Sequence, residues 1–200
     1  MKIKKLFKIN TILLIILLLI PTNRETIVNY LFEIKTINAK TETIENYNLE
    51  QINTDLTINT DVRIPSNLTK EQYNIMLEGT NLYGLGNALV KAEKEYQVNG
   101  LYLLGLACLE SAYGSSGYAI KRNNLVGWNA VDSNPDNATY FESQEECILF
   151  VAEKLQQNYL TEGGAYFEGY TPKDIDVHYC TDKQHANKIC QIVANLKNRI

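Results

Sequence analysis

From Thr69 onward, apolar residues recur at helical spacing, and the polar positions between them mark where each helix begins. Thr69 and Gln72 fit a capping box, and a short helix is expected through Met76 to Glu78. GTNLYGLG then turns the chain into a second helix, roughly Gly86 to Tyr96, with Leu89, Val90 and Ala92 inward and Lys91, Lys94 and Glu95 outward. Asn99–Gly100 breaks it. Leu101 to Leu109 is apolar on every face, which marks a buried helix rather than one laid on a surface. After Gly114 the run GSSGYAIKRNNLVGWNAVDSNPDNATYF is rich in Gly, Asn and Ser, and predicts a loop or small hairpin lobe rather than a helix. Ser143 and Glu146 form another capping box, opening an amphipathic helix through Leu149, Phe150, Val151 and Leu155 to Tyr159. Thr171 with Pro172 at the first helical position starts a short helix to about Val177. Thr181 or Asp182 caps the last helix, with Ile189, Ile192, Val193 and Leu196 as its core stripe and Lys197 and Arg199 suiting its C-terminal dipole. No strand alternates with these helices, which argues against a doubly wound sheet. The expected fold class is mainly α, over residues 68–200, with one small irregular or β lobe.

The first 67 residues follow a different pattern. Lys2, Lys4, Lys5 and Lys8 precede the apolar run Thr11–Ile20, which Pro21 ends. That run is short for a membrane span, which needs about 20 residues, and has the length of a signal h-region. Residues 1–23 therefore read as a signal peptide or an N-terminal membrane anchor. The nearest small residue for cleavage, Ala39, lies far downstream, so both readings stay open. Residues 24–67 shift to Thr, Asn, Ile and Glu and read as a polar spacer. The short echo INTD, at Ile52–Asp55 and Ile58–Asp61, is too brief for a structural repeat.

Charge narrows the partners. The net charge of −4 is uneven: residues 1–40 hold seven Lys/Arg against two Asp/Glu, and the remainder is about −9. An acidic domain lacks the clustered cations that nucleic acid requires. Any membrane contact is expected only through the N-terminal segment, and the domain is expected to act as a monomer.

The chemistry centres on one residue. Between Glu95 and Lys121 the only charged side chain is Glu110, at the end of the apolar helix and on the same turn as Leu103, Leu106 and Ala107. A carboxyl there loses hydration, which raises its pKa and fits it for general acid work. A glutamate emerging into solvent, or paired with an arginine, explains the position equally well. Of the four cysteines (Cys108, Cys147, Cys180 and Cys190), none forms a C-x-x-C pair, so neither a zinc nor a thioredoxin-type site has support. A bridge from Cys180 to Cys190 would span roughly 15 Å along one helix, beyond the about 7 Å that a disulfide allows. Cys108 reads as a small buried hydrophobe. A thiol–imidazole dyad with His178 or His185 lacks an activated cysteine, and His185 reads as a surface residue of the last helix. No cofactor and no metal are called for.

Three motifs, in order, carry a family resemblance. The first is Leu109, Glu110, Ser111, Gly114 and Ser116, followed by Ala119, Asn123–Asn124 and Leu125–Val126–Gly127. The second is Ala130–Val131–Asp132–Ser133–Asn134–Pro135. The third is Tyr179, Thr181, Asp182, Ala186, Lys188 and Ile189. Together they resemble the bacterial glucosaminidases of glycoside hydrolase family 73, through patterns of the types L-E-S-x-x-G-x-S, N-L-F-G, A-Y-D-x-x-P and Y-A-T-D-x-x-x-A-x-K-I. The resemblance runs from about Leu101 to Ile189. Val126 stands for the aromatic of the turn, Val131 for a tyrosine, and Trp128 for a small or aliphatic residue.

The resemblance implies a lysozyme-like fold. It also implies hydrolysis of the β-1,4 bond between N-acetylglucosamine and N-acetylmuramic acid in the glycan strands of peptidoglycan. Glu110 matches the catalytic acid. Asp132 matches the position of a second carboxylate, although a turn-forming aspartate would look the same. Tyr179 matches a tyrosine near the active site, where a phenol could bind sugar or position water. Tyr113, Asn124, Trp128 and Tyr140 are candidate sugar-binding residues. Two rivals stand beside this reading: a lytic transglycosylase with the same single glutamate, and a wall-binding module without activity.

Overall fold

The computed structural model describes residues 33, 35–37, 55–130 and 137–200. The basic and apolar leader, most of the spacer and Asp132 lie outside the described residues. The chain divides into two compact units, residues 1–51 and Ile52–Ile200, and the second is the domain considered below. Among the described residues no helix is long and apolar enough to cross a membrane.

Seven helices order the described residues of this unit: α1 (Lys70–Met76), α2 (Gly86–Tyr96), α3 (Gly100–Ser111), α4 (Gly117–Arg122), α5 (Gln144–Asn158), α6 (Pro172–Tyr179) and α7 (His185–Lys197). No strand occurs among the described residues. The α1 capping box is present in both directions, Gln72 N–H to Thr69 Oγ1 and Thr69 N–H to Gln72 Oε1. At α5, Ser143 caps as expected, but Glu146 reaches back one residue farther and accepts from Glu142 N–H.

Helix α3 is the axis of the domain. Its residues from Gly100 to Cys108 are all buried, and it packs against α2 on one side and α7 on another. The crossing with α7 depends on Gly105. A Cβ there would lie 2.8 Å from both Ile189 Cγ2 and Val193 Cγ2 and 3.0 Å from the Ile189 carbonyl, so only glycine lets the two backbones come this close. The start of α3 is fastened by Glu93, whose Oε1 accepts from Gly100 N–H (2.7 Å), Ser66 N–H (2.9 Å) and the Tyr73 hydroxyl (3.0 Å). One carboxylate thus ties the end of α2 to α1, to α3 and to the incoming chain.

Two local expectations differ from the structure. Gly117–Arg122, read as part of a loop, is the helix α4. Ser116 caps it by accepting from Ala119 N–H, Lys121 and Arg122 occupy its last turn, and Asn123 closes it in the left-handed region. Helix α7 starts at His185, three or two residues later than a Thr181 or Asp182 cap would place it. Asp182 instead accepts from Gln184 N–H and pairs with Lys188.

Residues 55–67, which the composition assigns to the spacer, pack on this unit. Leu56, Val62 and Ser66 are buried. Val62 N–H donates to the Tyr170 carbonyl (2.9 Å), and its own carbonyl accepts from Asn99 N–H (2.6 Å).

Candidate active site

The carboxyl of Glu110 projects from the last turn of α3. Ala112, Tyr113 and Gly114 follow it, all with positive φ (49°, 57° and 82°). Non-glycine residues held there store roughly 1–3 kcal/mol each and tend to mark functional sites. Ser111 pins the turn: its hydroxyl donates to the Ala107 carbonyl and accepts from Gly114 N–H at 2.7 Å. Gly114 has no room for a side chain, since a Cβ would stand 2.9 Å from Asn81 and Leu82. Ser116 N–H closes back on the Ser111 carbonyl at 2.8 Å. The Glu-Ser-x-x-Gly-x-Ser spacing is therefore a mechanical device that ends a buried helix abruptly and leaves a carboxyl at its rim.

That carboxyl is not alone. His185 Nε2 lies 2.8 Å from Glu110 Oε1, and His185 Nδ1 lies 2.8 Å from Asp176 Oδ1. The second oxygen of Asp176 accepts from Ala186 N–H at 2.6 Å, so Asp176 caps the N-terminus of α7, where the helix dipole favours its negative charge. The imidazole is buried, whereas the Glu110 side chain keeps 28% of its surface exposed. Burial works against charge on His185, but the hydrogen bonds from Asp176 and Glu110 outweigh it and raise the pKa from 6.5 to about 10. Among the described residues no hydrogen bond reaches Glu110 Oε2.

Tyr179 completes this wall. Its ring stacks on His185 (centroids 5.5 Å, 27° between planes) and meets Tyr159 edge-on at 6.0 Å. Tyr159 in turn contacts Tyr166, and Tyr166 contacts His178. Burial, and then the nearby Glu110 charge, push the Tyr179 phenol well above its ordinary range, so it stays protonated and able to donate. Among the described residues no group of three or more His, Cys, Asp or Glu side chains is placed to hold a metal ion, and all four cysteines are free thiols.

Residues 86–198 match the glucosaminidase family model, mannosyl-glycoprotein endo-beta-N-acetylglucosaminidase. The chain belongs to this family. Two proteins of Streptococcus pneumoniae (a serotype 4 strain and strain R6), both named as candidate endo-beta-N-acetylglucosaminidases, are 29% identical to it over 116 residues. That alignment covers 58% of this chain but only 18% and 16% of theirs, so the chain spans less than a fifth of those relatives. Among solved structures, a catalytic mutant of S. aureus autolysin E in complex with the disaccharide NAG-NAM superposes with a TM-score of 0.57. Its identity is 21%, over 70% of this chain and 72% of that one. Autolysin E in complex with the muropeptide NAM-L-Ala-D-iGlu superposes with the same TM-score at 19% identity, over 76% and 77%. The helical domain thus has the lysozyme-like autolysin fold.

Within this glucosaminidase domain the remaining candidates are placed unevenly. Asn124 is buried, and its amide serves the lobe itself: Nδ2 donates to the Trp128 and Thr139 carbonyls (both 3.0 Å) and Oδ1 accepts from Trp128 N–H (2.9 Å). Trp128 is half-buried and meets Phe150 edge-on at 5.1 Å. Tyr140 is 64% exposed. Tyr113 lines a separate depression of about 380 Å³ with Asn81, Asn195 and Arg199, toward the end of α7 opposite His185. The structure therefore brings Tyr179 to Glu110, builds Asn124 and Trp128 into the neighbouring lobe, and turns Tyr113 elsewhere.

His185 is not the surface residue its helix position suggested. It is 4% exposed, because it stands four residues before Ile189 and eight before Val193, on the buried stripe of α7. That periodicity was present in the sequence, and extending the stripe back by one turn would have found it. Asp176 carried no such signal, since its role depends on the turn between α6 and α7.

Proposed function

We propose that this chain is an exported peptidoglycan hydrolase, an endo-β-N-acetylglucosaminidase that cleaves the β-1,4 bond between N-acetylglucosamine and N-acetylmuramic acid. The observation that carries this reading is the Glu110 carboxyl, anchored through one oxygen by His185 and still 28% exposed, on the helix that the family match spans. Its role is general acid, protonating the leaving glycosidic oxygen as the anomeric C–O bond breaks. Tyr179 donates a hydrogen bond to the sugar or positions the attacking water. Asp132 supplies the second carboxylate, stabilising the oxocarbenium-like centre or activating water. The NAG-NAM and muropeptide ligands of the structurally similar autolysin E support this substrate class. Export rests on the basic and apolar leader of residues 1–23, whether it is cleaved or retained as an anchor at the outer face of the membrane.

Mass spectrometry of purified cell walls digested by the chain tests the reading. New reducing N-acetylglucosamine ends are expected. Anhydromuramic ends would mean a lytic transglycosylase, and an unchanged wall with protein bound to it would mean a binding module.

A further inference from the structure

The mechanism above uses Glu110 but assigns nothing to the two groups behind it. A buried imidazole with a carboxylate on each nitrogen is costly to assemble, since ionised groups lose hydration, and stacking against Tyr179 holds this one in place. Its protons can be counted. One oxygen of Asp176 accepts from Ala186 N–H at the N-terminus of α7 and the other faces Nδ1 at 2.8 Å, an arrangement that places the ring's proton on Nδ1. The 2.8 Å contact between Nε2 and Glu110 Oε1 then holds one proton, and that proton can reside at either end.

We propose that His185, oriented by Asp176, is a positioning residue that shares one proton with Glu110 and sets the pH range over which Glu110 works as the acid. The inference rests on the role of Glu110 proposed above. The two forms, imidazolium with carboxylate and imidazole with carboxylic acid, contain the same number of protons. Solvent on the exposed side of Glu110 favours the charged form, and a glycan that covers the carboxyl and excludes water favours the neutral one. The proton therefore moves onto Glu110 when substrate is bound. A turn about the soft last torsion of the glutamate presents it to the cleft. It passes to the glycosidic oxygen as the C–O bond breaks, water adds at the anomeric carbon, and the proton that water loses refills the pair.

The other groups around His185 fit this account. From α3 the buried Tyr102 phenol is electrostatically coupled to Asp176, Tyr179 and Glu110, and burial holds it protonated. From α6 Tyr179 stays neutral, as described. Cys180 is a free thiol at the end of α6. Asp182 is neutralised by Lys188 at 2.6 Å, which leaves Glu110 and Asp176 as the two carboxylates bonded to the imidazole.

The chain has two histidines, so nitrogen-15 NMR can follow both rings, with His178→Gln giving the assignment. In the wild type, His185 is expected to stay protonated well above the ordinary histidine range. In Glu110→Gln its midpoint falls by at least about one pH unit, the size of effect one adjacent charge exerts. His185→Gln is expected to lower kcat on peptidoglycan about tenfold or more, to leave KM unchanged, and to move the alkaline limb of the pH profile downward. An unmoved His185 midpoint in Glu110→Gln overturns the shared proton, as does a kcat profile of His185→Gln that superimposes on the wild type. Should His185→Gln fold poorly, the ring titration in Glu110→Gln still decides, because it leaves His185 in place. The two assignments separate cleanly. Lost turnover in Glu110→Gln with an unmoved His185 midpoint keeps the acid and overturns the relay. Wild-type turnover in Glu110→Gln overturns the acid and the relay with it.

Discussion

The two sides of the candidate site are built by different means. On one side, Glu110, His185, Asp176 and Tyr179 stand on α3, α6 and α7, and their geometry is inherited from helix packing through Gly105. On the other side, the described residues between α4 and α5 form no strand and are held by side chains bonding to backbone. Asn124 bonds to residues 128 and 139, Asn123 Nδ2 donates to the Phe141 carbonyl, and Arg122 Nη1 donates to the Ala138 carbonyl. The helical side sets a carboxyl to within fractions of an ångström because a packed core has few alternative arrangements. The described part of the lobe is instead held by a few side-chain bonds to backbone. Fixed proton chemistry belongs on the first, and sugar contacts belong on the second.

The comparison can be broken at its joint. Gly105→Ala places a methyl against Ile189 and Val193, so α3 and α7 must separate. A loss of about 1–3 kcal/mol in stability is expected, with activity falling further than stability because Glu110 moves relative to His185. Chemical denaturation together with turnover on peptidoglycan reads both. Turnover that tracks the folded fraction alone would show that the crossing does not position the acid.

The lobe has an equivalent test. Asn124→Ala removes three hydrogen bonds, those to the Trp128 amide and to the Trp128 and Thr139 carbonyls, and of these groups the Trp128 carbonyl keeps Thr139 N–H as a partner; a loss of about 1–3 kcal/mol is expected. Protease nicking within residues 123–143 is expected to rise, while kcat on short soluble glycans changes less than KM. Equal loss of kcat would mean that the lobe carries chemistry rather than binding. Tyr140→Ala should have a smaller effect still, a several-fold rise in KM with no change in Tm, because the side chain is 64% exposed.

The smallest effect concerns pH and stability. The pKa of His185 in the folded chain, about 10, exceeds its ordinary value of 6.5. Its stabilising contribution is therefore fully present below about pH 6.5 and is lost as pH rises through about 10. The Tm difference between wild type and His185→Gln should narrow over that interval. A constant or widening gap would contradict the assigned charge.

How much of this was legible in the sequence follows from the same division. The helices with capping residues and long apolar stripes (α1, α2, α3, α5 and the start of α6) could be read from local pattern, because each signal lies within one turn of the feature it creates. Glu110 could be found as the one charge in an apolar stretch. Helix α4 was hidden because six residues carry too few apolar positions to show a period, and its cap lies among serines and glycines that also suit loops. Asn124 had the appearance of a sugar ligand because an amide in a polar lobe looks the same whether it bonds a glycan or a backbone fifteen residues away. Asp176 and His185 were invisible as a pair, since the link from Glu110 to His185 joins residues 75 positions apart. Residues 55–67 had the composition of a spacer, yet Val62 is buried by contacts with Asn99 and Tyr170 that no local pattern encodes.

The central claim is that the Glu110 carboxyl is the acid that breaks the glycan. It is tested most directly by the release of reducing ends from purified peptidoglycan, with wild type and Glu110→Gln matched for folding by their Tm. The amide keeps the size of the side chain but cannot deliver the proton. The expected result is a loss of about a thousandfold in turnover, with glycan binding retained. Wild-type turnover by folded Glu110→Gln would contradict the account.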